Sequence, residues 1–377
     1  MRLINTVPSV FLTDGAYKHT LSAVRSLGRK NIAVAVGSHE KISQCFYSKY
    51  CKIPILYPPP SDEGNFVKTI LKLLKNMRFN VLLPIGYQTS SLISRYKDKI
   101  VESVKTPIAD YDVFNIAADK LRTIQLAERM NIKVPKTVYI ENVETLRPEK
   151  LELELPMVVK GRRESVGVFY IKDKRDFEYL KKRRFKEVLV QEYVIGDGYG
   201  FFGLFNQGKI RASFMHKRIR EYPATGGPST LAESIYDIKL KNIGKRLLER
   251  LKWHGVAMVE FKRDVRTGEF ILMEINPKFW GSLDLSIRAG VDFPFLAYKL
   301  ALDGEVEKVC KYKTGIVFKW PFPDDTMHLL SNLRILPSYI SDFLKRNTYT
   351  NIDLYDLKPT AIQITQTFTK IYDKMRS

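Results

Sequence analysis

Two glutamates and one asparagine in the second half of the chain have the types and the spacing to bind a metal ion. Glu274 and Asn276 are two residues apart in a predicted strand, so their side chains point to the same face. Glu260 lies on the preceding predicted strand, where we expect it to face Glu274 at roughly 5 Å. Two carboxylates at this distance repel each other unless a cation binds between them or a raised pKa keeps one of them neutral. A divalent cation such as magnesium suits these oxygen ligands, and the alternative is a solvated acidic face on an ordinary hairpin.

The hairpin itself is predicted from two apolar runs, 256–261 and 270–275, that a short loop joins. The loop, 266–268, ends in a glycine that suits the left-handed conformation of a three-residue turn. If Val265 pairs with Glu269 where the loop closes, the same register brings the two glutamates of the candidate metal site opposite each other.

Composition limits the class of protein. With 377 residues, 45% hydrophobic and 27% charged, the sequence predicts a soluble globular chain of two or three domains. No apolar run has the length of a membrane span and the first residues lack a signal-peptide pattern, so we expect a cytoplasmic protein. Cys45, Cys51 and Cys310 form no CxxC pair, which excludes a disulfide framework and a cysteine zinc site.

The formal net charge of +21 favours an anionic partner, which could be nucleic acid, a membrane surface or a small polyanion such as a nucleotide. The densest basic runs are 181–184, on a predicted helix, and 217–220, after a predicted strand. No zinc-finger spacing, RNP-like aromatic motif or basic zipper accompanies them, so no specific nucleic-acid partner is expected.

The first hundred residues alternate between strand and helix patterns, which predicts a doubly wound parallel sheet. The first turn, TDGAYKHT, lacks the GxGxxG pattern, so NAD binding is not predicted. The predicted strands are 9–13, 32–36 and 81–85, and the predicted helices are 17–27, 66–75 and 89–96.

From Asp119 the pattern changes to a helix followed by an extended segment and several strands. The helix carries Lys120 at its start and ends near Asn131. Lys160 ends a strand beside a polar loop, where a lysine can bind phosphate as a point charge or lie solvated on the surface. Further strands are predicted at 156–160, 166–171 and 188–194, with a basic helix before the last of them.

With these residues in place, the chain resembles the ATP-grasp enzymes, in particular the carbamoyl-phosphate-synthase-like carboxylate–amine ligases. The segment INPKFWGS is similar to the version in a subgroup of uncharacterised ligases. The resemblance implies that Lys120 and Lys160 bind phosphate and that the two glutamates and the asparagine bind metal. It also implies a hinge whose glutamate side chain and following backbone groups hold adenine, and Asp197 lies near the position that holds ribose. The residues matching the hinge are Gln191, Glu192, Tyr193 and Val194.

The fold implied by the resemblance combines α/β and α+β parts. A doubly wound pre-ATP-grasp domain, 1–112, would precede a linker and lid subdomain, 113–195, and a C-terminal subdomain with the metal site, 196–305. Residues 306–377 would form a basic, family-specific tail with helices at 326–333 and 362–375. That tail would complete a substrate pocket, form a homodimer contact or lie on a membrane surface.

The implied reaction joins a small carboxylate to an amine at the cost of ATP. The nucleotide would lie between two α+β layers with one or two magnesium ions, or manganese, on its phosphates. A substrate carboxylate attacks the γ-phosphate to give an acyl phosphate, and an amine then displaces phosphate. Two alternatives stay open: a biotin-carboxylase-like carboligase that activates bicarbonate, and a non-catalytic nucleotide-binding protein of the same fold.

Two loops supply further candidate residues. In 216–230, Arg218 or Arg220 would contact the γ-phosphate or acyl phosphate, against the alternative of a surface role. After the asparagine, the resemblance places a loop beside the substrate carboxylate, in which Ser282 could also cap a helix and Trp280 could equally anchor the core. The candidates in and after this loop are Lys278, Ser282 and, more weakly, Arg288.

The loop after Lys160 departs from the glycine-rich lid that many ATP-grasp enzymes carry. It has only Gly161 and Gly167, with arginines and a serine between them, so we expect side chains as well as backbone groups to clamp phosphate. The side chains in question are Arg162, Arg163 and Ser165.

Overall fold

The computed structural model describes residues 9–147, 151–164, 167–223 and 226–376. Its first part contains a four-stranded parallel sheet, here called the N-terminal sheet, flanked by helices. The elements are β1 (Ser9–Leu12), α1 (Lys18–Arg29), β2 (Ala33–Ser38), β3 (Cys51–Leu56), α2 (Glu63–Met77), β4 (Val81–Leu83), α3 (Tyr87–Arg95) and α4 (Lys97–Val101). The strand order β3-β2-β1-β4 confirms the predicted doubly wound sheet.

One strand of this sheet, β3, was not predicted. It contains Pro54, which cannot donate a ladder hydrogen bond and therefore argues against a strand in a sequence pattern. In the structure β3 lies at the edge of the sheet, where proline is tolerated.

The next part contains two helices and a four-stranded antiparallel sheet, here called the middle sheet. The elements are α5 (Tyr111–Ala118), α6 (Lys120–Arg129), β5 (Thr137–Asn142), β6 (Met157–Gly161), β7 (Val168–Ile171), α7 (Lys174–Lys182) and β8 (Lys186–Glu192). The strand order is β5-β8-β6-β7. Asp119 fixes the start of α6, because its side chain accepts a hydrogen bond from the Arg122 N–H group. Ser165 and Val166, in the loop between β6 and β7, lie outside the described residues.

The rest of the chain builds a seven-stranded sheet, here called the large sheet, and its helices. The elements are β9 (Gly196–Asn206), β10 (Lys209–Glu221), β11 (Ser229–Ser234), α8 (Ile238–Arg250), β12 (Gly255–Asp264), β13 (Phe270–Asn276), α9 (Leu283–Ala289), α10 (Phe293–Asp303), β14 (Val317–Lys319), α11 (Thr326–Ser331), α12 (Leu336–Leu344), β15 (Thr348–Thr350) and α13 (Lys358–Arg376). The strand order is β13-β12-β9-β10-β11-β14-β15.

Packing joins the N-terminal and large sheets and leaves the middle sheet with a core of its own. Phe11 and Phe66 from the N-terminal part share a buried cluster with Phe201 and Trp253 from the large sheet and the loop before β12. The middle sheet packs α7 against its strands in a separate cluster that includes Phe177. Two sheets are therefore fixed to each other, and the middle sheet attaches to them through fewer shared apolar contacts.

The C-terminal tail folds back onto both fixed sheets. Strands β14 and β15 extend the large sheet, and Arg25 of α1 binds the tail from the N-terminal part. The buried Arg25 guanidinium donates to Asp356 Oδ2 at 2.9 Å and to the Asn351 carbonyl at 2.7 Å. The two predicted tail helices are present as α11 and α13. Within the described ranges, every helix is too short or too polar to span a bilayer.

Candidate functional site

The hairpin of β12 and β13 places Glu260 directly opposite Glu274, as predicted, but by a different route. The loop closes one residue earlier than expected, with the Asp264 N–H group donating to the Glu269 carbonyl at 2.9 Å. That register alone would set Glu260 against Met273. Met273 is instead an extra residue in β13, and this bulge shifts the pairing by one position and restores the facing carboxylates.

An amide and two cations hold the two carboxylates. The Asn276 Nδ2 group donates to Glu260 Oε1 at 2.9 Å and to Glu274 Oε1 at 3.1 Å. Lys120 Nζ lies 3.1 Å from Glu274 Oε2, and an Arg218 Nη2–H group donates to Glu260 Oε2. The glutamate side chains are about 20% exposed and lie in a row with a cation at each end and the Asn276 amide between them, so they do not form a solvated acidic face.

The surrounding charges move the pKa values of the two glutamates in opposite directions. Burial raises the pKa of Glu274, but the neighbouring Lys120 and Lys160 outweigh burial and bring that pKa to about 2. Burial also raises the pKa of Glu260, and there it prevails over the opposing effect of Arg218. Burial lowers the pKa of Lys160, although the Glu274 carboxylate raises it. The two lysines thus favour the ionised form of Glu274 more strongly than burial opposes it, whereas burial favours the neutral form of Glu260.

A cavity of about 410 Å³ surrounds this charged row. Lys120 and Lys160 reach it from α6 and the middle sheet, whereas Arg218 and Lys262 reach it from the large sheet. His19, near the start of α1, brings the N-terminal part to the same cavity. Cations from the middle-sheet side and from the large sheet thus face the same cavity. Such a cavity suits a polyanionic ligand.

The two glutamates and Asn276 are the set of oxygen donors that could hold a metal ion in this cavity. In the described part of the chain, no group of three or more His, Cys, Asp or Glu side chains could do so. Two carboxylates suit magnesium, which typically takes one or two of them and completes its shell with water and substrate phosphates. Turning the Asn276 amide over would present its oxygen to the gap that Nδ2 now faces, so the residues present fit such an ion.

The predicted hinge, 191–194, lies at the end of β8 and beside a second cavity of about 360 Å³. Tyr193 lines this cavity together with Tyr170 of β7. The Val194 carbonyl accepts a hydrogen bond from Lys262 Nζ at 3.0 Å, which connects the hinge to the main cavity.

Two residues of the hinge, Gln191 and Glu192, and the nearby Asp197 have their side chains engaged within the protein. Gln191 is buried, and its Nε2 group donates to Thr137 Oγ1 at 2.9 Å. Glu192 Oε1 accepts from the Lys136 N–H group at 3.0 Å. Asp197 pairs with Lys217 at 2.6 Å and does not line the main cavity. Each therefore lies close to the hinge, and none points freely into the main cavity.

The loop after Asn276 closes one end of the main cavity. Lys278 lines the cavity and pairs with Glu164 of the loop after β6 at 2.8 Å. Trp280 also lines it and packs against Phe202 with ring centroids 4.5 Å apart, so it is both a cavity wall and a core anchor. Ser282 precedes α9, but its side chain makes no capping hydrogen bond and does not line the cavity, which corrects the prediction of a cap.

Arg220 and Arg288 lie outside the main cavity, contrary to the roles proposed for them from the sequence. Arg220 donates to Asp325 at 2.8 and 3.0 Å and pairs with Asp342 at 2.6 Å, so it binds the C-terminal tail. Arg288 stacks on the Tyr349 ring, with its guanidinium carbon 3.7 Å from the ring centroid. Of the two arginines of β10 proposed for phosphate, Arg218 is the one that the structure brings to the cavity.

We expect Arg220→Ala to destabilise the fold by about 3 kcal/mol, the lower end of the cost of breaking a buried ion pair. The substitution leaves Asp325 and Asp342 buried, although Lys319 and Lys345 remain beside them. Urea unfolding of the variant measures the loss, and Arg250→Ala, at an exposed position on α8, is the matched control. Unchanged stability combined with loss of enzymatic turnover would assign Arg220 to the site instead.

Several residues of the cavity were missed from the sequence. Lys262 had a signal, because it follows Glu260 by two residues on one strand and must share its face. His19, Glu164 and Glu221 come from separate elements, and no motif marked them.

Together the fold and the site resemble those of the ATP-grasp proteins. Residues 184–321 match the family described as ATP-grasp in the biosynthetic pathway with Ter operon. ATP-grasp proteins use ATP together with a divalent metal ion.

The chain is similar to several ligases. D-aspartate ligase of Enterococcus faecium (strain Aus0004) is 23% identical over 269 residues, which cover 63% of this chain and 63% of that relative. The L-amino acid ligase from Bacillus licheniformis shares the fold with a TM-score of 0.66 at 13% identity, over 80% of this chain and 75% of that one. Biotin carboxylase from Campylobacter jejuni has a TM-score of 0.65 at 13% identity, over 82% and 74%. The chain thus spans about 63% of the length of the enterococcal relative, and the solved structures show a shared fold.

Proposed function

We propose that the protein is an ATP-dependent carboxylate–amine ligase, which activates a small carboxylate as an acyl phosphate and releases ADP and phosphate. The observation that carries the proposal is the row Lys120, Glu274, Asn276, Glu260 and Arg218 in one cavity. Phosphoryl transfer needs positioning and charge stabilisation more than a protein nucleophile, and this row supplies charges fixed in advance.

Lys120, Lys160 and Arg218 are the residues we assign to the phosphates. The two lysines approach from α6 and the middle sheet and Arg218 from the large sheet, so a triphosphate between them would meet cations on both sides. When nucleotide binds, Lys120 and Arg218 would exchange their carboxylate partners for phosphate oxygen, and the metal ion would take up the two carboxylates.

Glu260, Glu274 and Asn276 are the residues we assign to magnesium, with manganese as a substitute. Such an ion would neutralise charge on the transferring phosphoryl group. Glu274 is suited to this task because its depressed pKa, about 2, keeps it ionised. A bound ion would oppose the effect of burial, which raises the pKa of Glu260.

The adenine is assigned to the hinge, Gln191 to Val194, and the ribose to the neighbourhood of Asp197. Support comes from the cavity beside Tyr193 and from the Lys262 bond to the Val194 carbonyl, which joins this cavity to the phosphate region. For Asp197 to hold ribose, its ion pair with Lys217 would have to open.

We propose that Lys278 binds the substrate carboxylate and that Trp280, which forms part of the cavity wall, positions the substrate. The ion pair of Lys278 with Glu164 supports this assignment, because a substrate carboxylate could take the place of Glu164. We propose an amino acid as the first carboxylate to test, because the similar proteins include a D-aspartate ligase and an L-amino acid ligase.

The division of the chain proposed for this function is a pre-ATP-grasp domain, a linker and lid, a metal-binding subdomain and a tail, with boundaries near 112, 195 and 305. The separate core of the middle sheet supports its role as a lid. The tail would not form the substrate pocket, because the described residues that line the main cavity end at Gly281.

The test is an ADP-release screen with the full-length protein, ATP and magnesium. Amino acids of both hands and other carboxylates are crossed with amines, and products are identified by mass spectrometry. We expect ADP release that requires both a carboxylate and an amine. Release driven by bicarbonate alone would favour the carboligase alternative, and tight ATP binding without release under any pair would favour a non-catalytic protein.

A further inference from the structure

The helix α12 and the turn before it present an apolar face to solvent. The exposed fractions are 67% for Leu333, 45% for Leu336, 54% for Ile340, 44% for Phe343 and 81% for Leu344. These five residues are here called the α12 face. Leu333, Leu336, Ile340 and Leu344 follow one another at intervals of three or four, and Phe343 lies three residues after Ile340, so the five share one side of the helix. An ordered helix that exposes such a stripe marks an interaction surface.

The opposite side of α12 is fixed to the protein, which sets the direction of the α12 face. Asp342 is buried and pairs with Arg220 at 2.6 Å. The Tyr339 carbonyl accepts a hydrogen bond from the buried Lys319 Nζ at 2.7 Å, and the same ammonium group lies 3.3 Å from the Tyr339 ring centroid. Phe343 lies at the border of the α12 face, with Lys319 Nζ 3.8 Å from its ring centroid. Because these contacts hold one side inward, the rest of the α12 face points away from the protein.

All the charge that this segment offers to solvent is positive. Between residues 326 and 352 the only carboxylate in the sequence is Asp342, and its side chain is 3% exposed. Arg334, Lys345 and Arg346 are exposed. A partner therefore has to accept apolar side chains and cations together.

We propose that the α12 face docks on the surface of an anionic lipid bilayer. A short amphipathic helix with large apolar side chains on one face and basic residues beside them suits the boundary between headgroups and acyl chains. The formal net charge of +21 adds long-range attraction to such a surface. A second copy of the chain suits it less, because Arg334, Lys345 and Arg346 of two copies would repel each other.

Vesicle flotation of the full-length protein tests this inference. Vesicles of phosphatidylcholine alone are compared with vesicles that also contain phosphatidylglycerol. We expect binding to the anionic vesicles that weakens as salt is added. The double variant Ile340→Ser with Leu344→Ser keeps the charge and should reduce binding about tenfold or more, because two apolar side chains no longer insert.

The matched control is Ile42→Ser with Val265→Ser, two apolar side chains that are 62% and 66% exposed and lie outside the α12 face. It should bind as the wild type does. Wild-type protein that fails to float with anionic vesicles, or a double α12 variant that floats as well as the control, would overturn the inference. Light scattering that shows a dimer lost in the α12 variant would assign the face to a second copy. None of these three results bears on the ligase proposal, since the α12 face lies outside the main cavity.

Discussion

Glu274→Gln is expected to abolish magnesium-dependent ADP formation, with a loss of at least roughly 10²–10³-fold, while the fold stays intact. The glutamine keeps the side-chain volume and a group that can bond Asn276, but it removes the charge that a divalent ion needs. It also frees Lys120 and Lys160 from a counter-charge. ATP binding without metal should therefore be unchanged or tighter, and the gain in ATP affinity that magnesium brings should disappear.

Calorimetric titration of ATP with and without magnesium measures that gain, and thermal unfolding confirms that the variant is folded. The glutamine is preferred to Glu274→Ala, which would leave Lys120 buried without a partner of any size. Glu269→Gln, an exposed glutamate at the tip of the same hairpin, is the matched control. Metal-dependent turnover at the wild-type rate in Glu274→Gln would remove this residue from the metal site.

The facing glutamates could be predicted from the sequence because alternation along strands restricts which residues can meet. The prediction reached the right pair through two deviations that cancel, an earlier loop closure at Asp264 and a bulge at Met273. A bulge inserts one residue without changing the apolar pattern on either side, so the sequence carried no sign of it. The identity of the pair was predictable, and the path of the backbone between the loop and the pair was not.

The arginines show the limit of reasoning from motifs. Arg218 and Arg220 are alike in sequence, and their separation on one strand predicts that they share a face. The pairing of β10 with β11 shifts register between these two residues, so the strand is irregular there, and Arg220 binds Asp325 and Asp342 instead of the cavity. Asp325 and Asp342 belong to the C-terminal tail, for which the family resemblance predicts no contacts. Its contacts are long-range, and no local pattern encodes them.

Elements distant in sequence close the cavity for the same reason. His19 reaches it from the first helix and Glu164 from the loop after β6, where Glu164 meets Lys278. Each of these residues, taken alone, reads as an ordinary surface side chain. Their convergence depends on the core that the N-terminal and large sheets share and on the middle sheet reaching the same cavity, and both are properties of tertiary packing.

Lys160→Ala should weaken ATP binding by about 10–100-fold, both with and without magnesium, since a hydrogen bond to a charged group contributes roughly 1.5–3 kcal/mol. Lys160 is the cation that the middle sheet contributes to the cavity. When the Lys160 side chain is removed, Glu274 keeps Lys120 as an ion-pair partner. The fold should therefore persist, and thermal unfolding checks this. The effect of magnesium on ATP affinity distinguishes Lys160→Ala from Glu274→Gln, because Glu274→Gln should lose only the magnesium-dependent part of that affinity. Lys186→Ala, an exposed lysine on the neighbouring strand β8, is the control, and wild-type ATP affinity in Lys160→Ala would exclude this lysine from the phosphate site.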